Sequence, residues 1–199
     1  MSKLIEVVGP SGVGKTTLVK ALSRTVQFAT AYEEHIERPF QVLFQQEKRH
    51  GLANQLDYLL LRAEQEKGLR LSPLMGLIDG GLDLDYHGFT RLFHAHGWLS
   101  DSEFELCRRF YELTRNLLPP PDLVVHLTAN EEVIRARLAS RRRINIASAE
   151  DTQLFNQFMD EWLVTVAAEK LLHLDVSSEG EGFISSTAFI LERIQSNNP

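Results

Sequence analysis

The sequence predicts an α/β fold: a five-stranded parallel sheet with helices on both faces. Three observations lead there. Five short apolar runs alternate with segments of helical period along the 199 residues. A glycine-rich turn joins the first run to the first helix, and carboxylates follow the second and third runs. Parallel strands linked by helices need crossovers of one hand, which line up the strand C-termini along one edge, where ligands bind.

Taken in order, Lys3–Val8 is a short apolar strand and Lys15–Val26 a helix. Phe28–Tyr32 reads as a strand ending in Glu33 and Glu34. Pro39–His50 and Ala53–Lys67 have helical spacing and are separated at Gly51, and Leu74–Ile78 is a buried-type strand. Asp83–His96 and Asp101–Leu118 are helices broken near Gly97, and Pro119–Pro121 stops the second. Leu123–Leu127 is the fourth strand. Glu131–Arg142 and Ala149–Glu169 are helical, Leu171–Val176 is the last strand and Phe183–Gln195 the last helix.

The length fits one domain, residues 1–199. Lys plus Arg total 21 and Asp plus Glu 27, a net charge of −6. That balance argues against a nucleic-acid coat, which needs a basic footprint. The single cysteine, Cys107, forms no disulfide within the chain and reads as a packing thiol. The opening "MSKLIEVVGP" is too short an apolar run for a signal peptide, and no stretch approaches the ~18 apolar residues of a membrane span. The expectation is a soluble, cytoplasmic protein without nucleic-acid or membrane partners.

Gly9-Pro-Ser-Gly-Val-Gly-Lys-Thr16 matches the P-loop pattern G-x-x-x-x-G-K-S/T between a strand and a helix. The glycines let backbone N–H groups turn toward phosphate oxygens, and the helix N-terminus adds partial positive charge. Gly9, Ser11, Gly12, Val13, Gly14, Lys15, Thr16 and Thr17 are therefore the expected nucleotide-binding set for ATP or GTP. Lys15 reaches the β- and γ-phosphates and the Thr16 hydroxyl is a ligand for Mg²⁺.

A P-loop does not identify the acceptor of the phosphoryl group. Transfer to a hydroxyl calls for a proton acceptor and carboxylate support for the metal. Glu33 or Glu34, after the second run, could be the base or simply a solvated turn. Asp79, directly after the third run, is the candidate for Mg²⁺. In "NQLDYLLLRAEQ", Gln55 and Arg62 are seven apart and share a helix face. A Gln amide suits the edge of a nucleobase.

Together these residues resemble the deoxynucleoside kinase family. "EEHIERPF" is similar to the family segment whose Glu is the general base, with Glu33 at the matching distance from Pro39 and Glu34 as fallback. Gln55 and Arg62 match the base-recognition helix. Asp85 matches the acid that pairs with that Arg. Asp79 matches the acid of an Asp/Glu-Arg-Ser motif. "LPPPDLVVHLTANEEVIRARLASRRR" is similar to the strand and helix leading into an arginine-rich lid, here about residues 141–150. Arg137, Arg141 and Arg143 match the lid arginines. Four positions depart: Gly80 stands in place of the motif's Arg, Ile146 of a sugar-binding Glu, Val8 of the Glu before the loop, and His35 of a Pro.

"RLASRRRINI" then acquires a purpose. Arg137 and Arg141 are four apart and Arg143 follows. Guanidinium forks over a transferring phosphoryl group stabilise its charge. Arg135 and Arg142 read as solvated, and His94, His96, Trp98 and Trp162 as packing residues.

The resemblance implies an ATP- and Mg²⁺-dependent nucleoside kinase acting on a 5′-hydroxyl, with Glu33 as base, and a homodimer through Asp83–His96 and Asp101–Leu118. Gly80 and Ile146 leave two alternatives open. One is a kinase of a nucleoside monophosphate or other small metabolite, for which Arg38, Arg70 or Arg91 would have to supply cations. The other is a nucleotide-binding subunit with impaired catalysis.

Overall fold

In a computed structural model, residues 1–32, 38–139, 149–180 and 182–196 are described. Five strands, β1 (Leu4–Val8), β2 (Ala29–Ala31), β3 (Gly76–Asp79), β4 (Leu123–Thr128) and β5 (Leu171–Asp175), form one sheet in the order β2-β3-β1-β4-β5. Every pairing is parallel. β1 is central, and the chain crosses to β3 on one side and β4 on the other. The crevice at the C-terminal end of β1 is thus the switch point of the sheet.

The alternation of β1 sorts its side chains onto two faces. Ile5 and Val7 pack with Leu18, Val19 and Leu22 of α1 (Lys15–Thr25) and Ile190 of α9 (Ile184–Ser196). Val8, on the other face, packs with Phe155, Met159 and Trp162 of α8 (Ala149–Leu163). Glu6 shares that second face and is fully buried. It is a carboxylate inside an otherwise apolar strand.

The remaining helices cover the second face. They are α2 (Pro39–Gln46), α3 (Gly51–Leu71), α4 (Leu82–Leu84), a π-helical turn Asp85–Thr90, α5 (Arg91–Ala95) and α6 (Asp101–Leu117), while α7 (Glu131–Ala139) lies against the glycine-rich loop at Gly12. A capping box starts α6: Ser100 Oγ accepts from Glu103 N–H, and the Glu103 carboxylate accepts from Ser100 N–H.

Of the boundaries that differ from the sequence reading, three change how the elements meet. Gly51 opens α3 instead of separating two helices, and a Cβ built on it would overlap the Trp98 carbonyl oxygen. The helix expected over 83–96 contains the π-helical turn, a feature that helical periodicity does not encode. The helix expected over 149–169 ends at Leu163, after which Thr165 and Val166 N–H groups bond back to Trp162 and Leu163. The stretch 140–148, which holds nearly all of the expected lid, lies outside the described residues.

Candidate active site

The phosphate loop occupies the C-terminal end of β1. Gly14 caps α1 in a left-handed conformation, φ 115°. A Cβ there would lie 2.6 Å from Phe183 Cζ, so both conformation and space demand glycine. The α1 N-terminus consequently faces the loop with its N–H groups available to an anion. Lys15 is buried, and its ammonium donates to the carbonyls of Gly9 (2.9 Å) and Pro10 (3.2 Å).

Thr16 and Asp79 meet across the end of the sheet. Thr16 Oγ1 donates to Asp79 Oδ2 at 2.5 Å, while Asp79 Oδ1 is buried with no hydrogen-bond partner. A hydroxyl beside a carboxylate with an unsatisfied oxygen is a hard-oxygen pair, the donor chemistry that suits Mg²⁺. Among the described residues no cluster of three or more His, Cys, Asp or Glu could hold a metal.

β3 leads directly into a second set of residues. Arg62 Nε donates to Asp85 Oδ2 at 2.8 Å, and Nη1 to Gln65 Oε1 (3.1 Å) and the Asp79 carbonyl (3.2 Å). Both members of the ion pair are almost wholly buried. Thr90 Oγ1 lies 3.0 Å from Gln55 Oε1 and 3.0 Å from the Asp85 carbonyl, so one hydroxyl ties the Gln to the turn carrying the Asp. The π-helical turn makes this possible by pairing Thr90 with Asp85, five residues back. Gln55, Arg62, Asp85 and Asp79 thus form one connected wall. Gln65 Nε2 reaches the carbonyl of Tyr32, the residue before Glu33.

Arg137 sits beside the loop. Its guanidinium donates to the carbonyls of Val13 (2.5 Å), Val176 (3.1 Å) and Glu179 (3.4 Å) and lies 5.8 Å from the Phe183 ring centroid. Arg135 pairs with Glu131 on the surface. Glu33, Glu34 and His35, with Arg141, Arg142, Arg143 and Ile146, lie outside the described residues.

A buried ionic network beneath the wall escaped the sequence reading. Glu6 Oε1 accepts from Leu84 N–H at 3.3 Å, and Glu6 Oε2 has no hydrogen-bond partner. Burial, followed by the charge of Asp83, pushes the Glu6 carboxyl well above its usual range. Arg115 binds Asp83 (2.9 Å) and Glu66 (2.8 Å), and Tyr111 donates to Asp83 (2.7 Å). His87, 3.0 Å from the Tyr111 hydroxyl, is lowered by burial to about 4. The one sequence signal was a Glu inside "LIEVV". Asn54, also missed, is buried beside Gln55.

Comparison with known proteins bears on the family and the fold. The family model described as "Deoxynucleoside kinase" matches residues 5–194. A deoxyadenosine kinase of Dictyostelium discoideum is 27% identical over 140 residues, 70% of this chain and 57% of that protein. A deoxyguanosine kinase of Bacillus subtilis is 24% identical over 195 residues, 90% of this chain and 88% of that protein. The chain thus spans little more than half the length of the first relative. The structure of a deoxyadenosine kinase from M. mycoides with bound dCTP superposes with a TM-score of 0.77 at 18% identity, covering 97% of this chain and 99% of that one. With a match over nearly the whole chain, the protein belongs to the deoxynucleoside kinase family.

Proposed function

We propose that this chain transfers the γ-phosphoryl group of ATP to the 5′-hydroxyl of a deoxyribonucleoside. One observation carries the reading. The last residue of β3, Asp79, meets the phosphate-loop Thr16, and Asp85, six residues on, meets Arg62, which joins a nucleotide cradle to a wall able to hold a heterocycle.

The nucleoside oxygen attacks the γ-phosphorus in line, and the bond to the β–γ bridging oxygen breaks. Glu33 takes the hydroxyl proton, with Glu34 as the alternative acceptor. Lys15 and the arginines Arg137, Arg141 and Arg143 stabilise charge on the phosphoryl oxygens. Gln55, Arg62 and Asp85 orient the acceptor. Thr16 and Asp79 would hold Mg²⁺, which supplies charge neutralisation on the triphosphate when bound.

A monophosphate acceptor is less well supported, because it needs extra cations. Arg38 is tied to Asp57, Arg70 to Glu66 and Asp122, and Arg91 to Glu161. The test is turnover of purified protein with ATP and Mg²⁺ across a nucleoside and nucleoside-monophosphate panel. A 5′-monophosphate product from a nucleoside is expected. ATP binding without product from any acceptor would instead favour an impaired subunit.

No helix among the described residues is long and apolar enough to cross a membrane, in keeping with a cytoplasmic location. Two copies of the chain pair through α6, which exposes Leu106, Leu113 and Leu117 at one helical spacing. Sedimentation of Leu113→Asp as a monomer, against a wild-type dimer, is the expected result.

A further inference from the structure

The segment that carries Asp85 begins without a cap of its own. Gly81 occupies the N-cap position of α4, and without a side chain it offers no acceptor to the first N–H groups of the helix. Such donors are costly in the interior unless something meets them. Leu84, at the third helical position, is buried, and its N–H is met from the central strand, 78 residues away: Glu6 Oε1 accepts it at 3.3 Å. The third position is where an N-cap side chain normally bonds. Here β1 supplies that acceptor in place of Gly81.

The next residue is Asp85. Its N–H donates to the Gly81 carbonyl at 3.0 Å, and its carboxylate accepts from Arg62 Nε at 2.8 Å. The acid of the wall is therefore one peptide from the capped donor. Asp79 is held differently. It pairs in register with Val7, and Gly80 N–H donates to the Val7 carbonyl at 2.9 Å, so the sheet ladder fixes the phosphate side. β1 thus holds the two halves of the site by separate means, the backbone of Val7 and the side chain of Glu6.

Glu6 is suited to this task as a neutral acid. Among the described residues it forms no ion pair, and the nearby Arg115 is engaged by Asp83 and Glu66. Burial, then the charge of Asp83, outweigh the pull of Arg115 and hold the proton on Glu6. Shared with Asp83, that proton gives Glu6 Oε2 the partner it otherwise lacks and leaves Oε1 to accept from Leu84.

We propose that Glu6 is a positioning residue for the acceptor: by capping Leu84 from the central strand it sets the first turn of α4, and with it the aim of Asp85 at Arg62, while the nucleotide side stays independent of it. The proposal rests on the nucleoside kinase reading.

The test compares wild type with Glu6→Leu and Glu6→Gln. The leucine keeps the bulk and removes the cap. The glutamine is neutral, accepts from Leu84 and donates to Asp83. Steady-state kinetics give kcat and KM for the nucleoside turned over best, and calorimetry gives the Kd of ATP. Glu6→Leu should raise the nucleoside KM by about 2–10-fold, the scale of one hydrogen bond, and leave the ATP Kd unchanged. Glu6→Gln should return the KM to the wild-type value. Equal loss for nucleoside and ATP, a glutamine variant as impaired as the leucine, or a leucine variant with the wild-type KM overturns the proposal. Where the leucine variant folds poorly, Glu6→Asp replaces it, since its carboxyl falls one methylene short of Leu84, and the same split is expected. If no nucleoside is phosphorylated, the kinase reading fails, and proton exchange measured by NMR decides the role of Glu6. The Arg62 Nε proton should lose protection in Glu6→Leu and keep it in Glu6→Gln, with the Gly80 amide protected in both. Loss at both protons, or at neither, overturns the proposal.

Discussion

The carboxyl group of Glu6 stands directly against the backbone of Gly81. A Cβ built on Gly81 would lie 2.7 Å from Glu6 Cδ and 3.0 Å from its Cγ. Glu6 also accepts the Leu84 N–H, so a buried acid from the central strand props the turn between Asp79 and Asp85. Asp79 and Asp85, the two candidate acids of the site, flank this contact.

Gly81→Ala is therefore expected to destabilise the fold by about 1–3 kcal/mol, the usual cost of overpacking. The Glu6 side chain cannot move away cheaply, since it is enclosed on all sides. Urea denaturation measures it. An unchanged midpoint would show that the turn does not rest on Glu6.

The same acid gives a signed pH dependence. Its folded pKa is raised above the ordinary 4.5, so the folded state holds a proton that the unfolded state releases. The resulting stability is present below pH 4.5 and is lost as pH climbs through the raised value. His87 and His126 act in the opposite direction. Burial lowers each from 6.5 to about 4, so their contribution is present above pH 6.5 and is lost as pH falls toward 4. Glu6→Gln should flatten the alkaline decline and leave the acid limb, as read by denaturation midpoints from pH 4 to 9. A parallel downward shift at every pH would contradict this.

Gly80→Arg restores the residue type that the family motif carries, yet it should not raise activity. Gly80 has φ +74°, where an arginine is strained, and its Cβ would come 3.3 Å from Arg62 Nη2 and 3.2 Å from Leu84 Cδ2. A second guanidinium there meets the first and disturbs the Arg62–Asp85 pair. Lower stability and a higher nucleoside KM are expected. A gain in kcat would mean that the turn tolerates the cation.

Lys15→Met and Asp79→Asn separate charge stabilisation from metal support. Loss of Lys15 should lower kcat by about 10²–10³-fold, the scale for removing one preorganised charge-stabilising group. Asp79→Asn should raise the Mg²⁺ concentration needed for half-maximal rate, because an amide replaces the carboxyl group beside Thr16. Chelation by EDTA should abolish turnover in wild type. Metal-independent turnover would remove Asp79 from this role.

Much of the sheet could be read along the chain because its signals are local. The apolar runs of β1 and β4 and the Gly-rich loop each speak through residues a few positions apart. The spacing of Gln55 and Arg62 is likewise local. Glu6 was present as a carboxylate in an apolar run, but nothing nearby in sequence could reveal Gly81 or Leu84 above it. The π-helical turn was illegible because its bonding of Thr90 to Asp85 leaves no mark on helical periodicity. Asn54 looked like any polar helix residue, since burial is not a local property.

The sequence by itself determined that a nucleotide loop opens an α/β sheet and that an amide and a guanidinium share one helix face. Both follow from short-range backbone geometry. Tertiary structure alone decided which distant groups meet: Thr16 with Asp79 across 63 residues, and Glu6 with Leu84 across 78. Strand order β3-β1-β4 brings those segments together. Close packing then fixes which polar atoms find partners and which, like those of Asn54, do not.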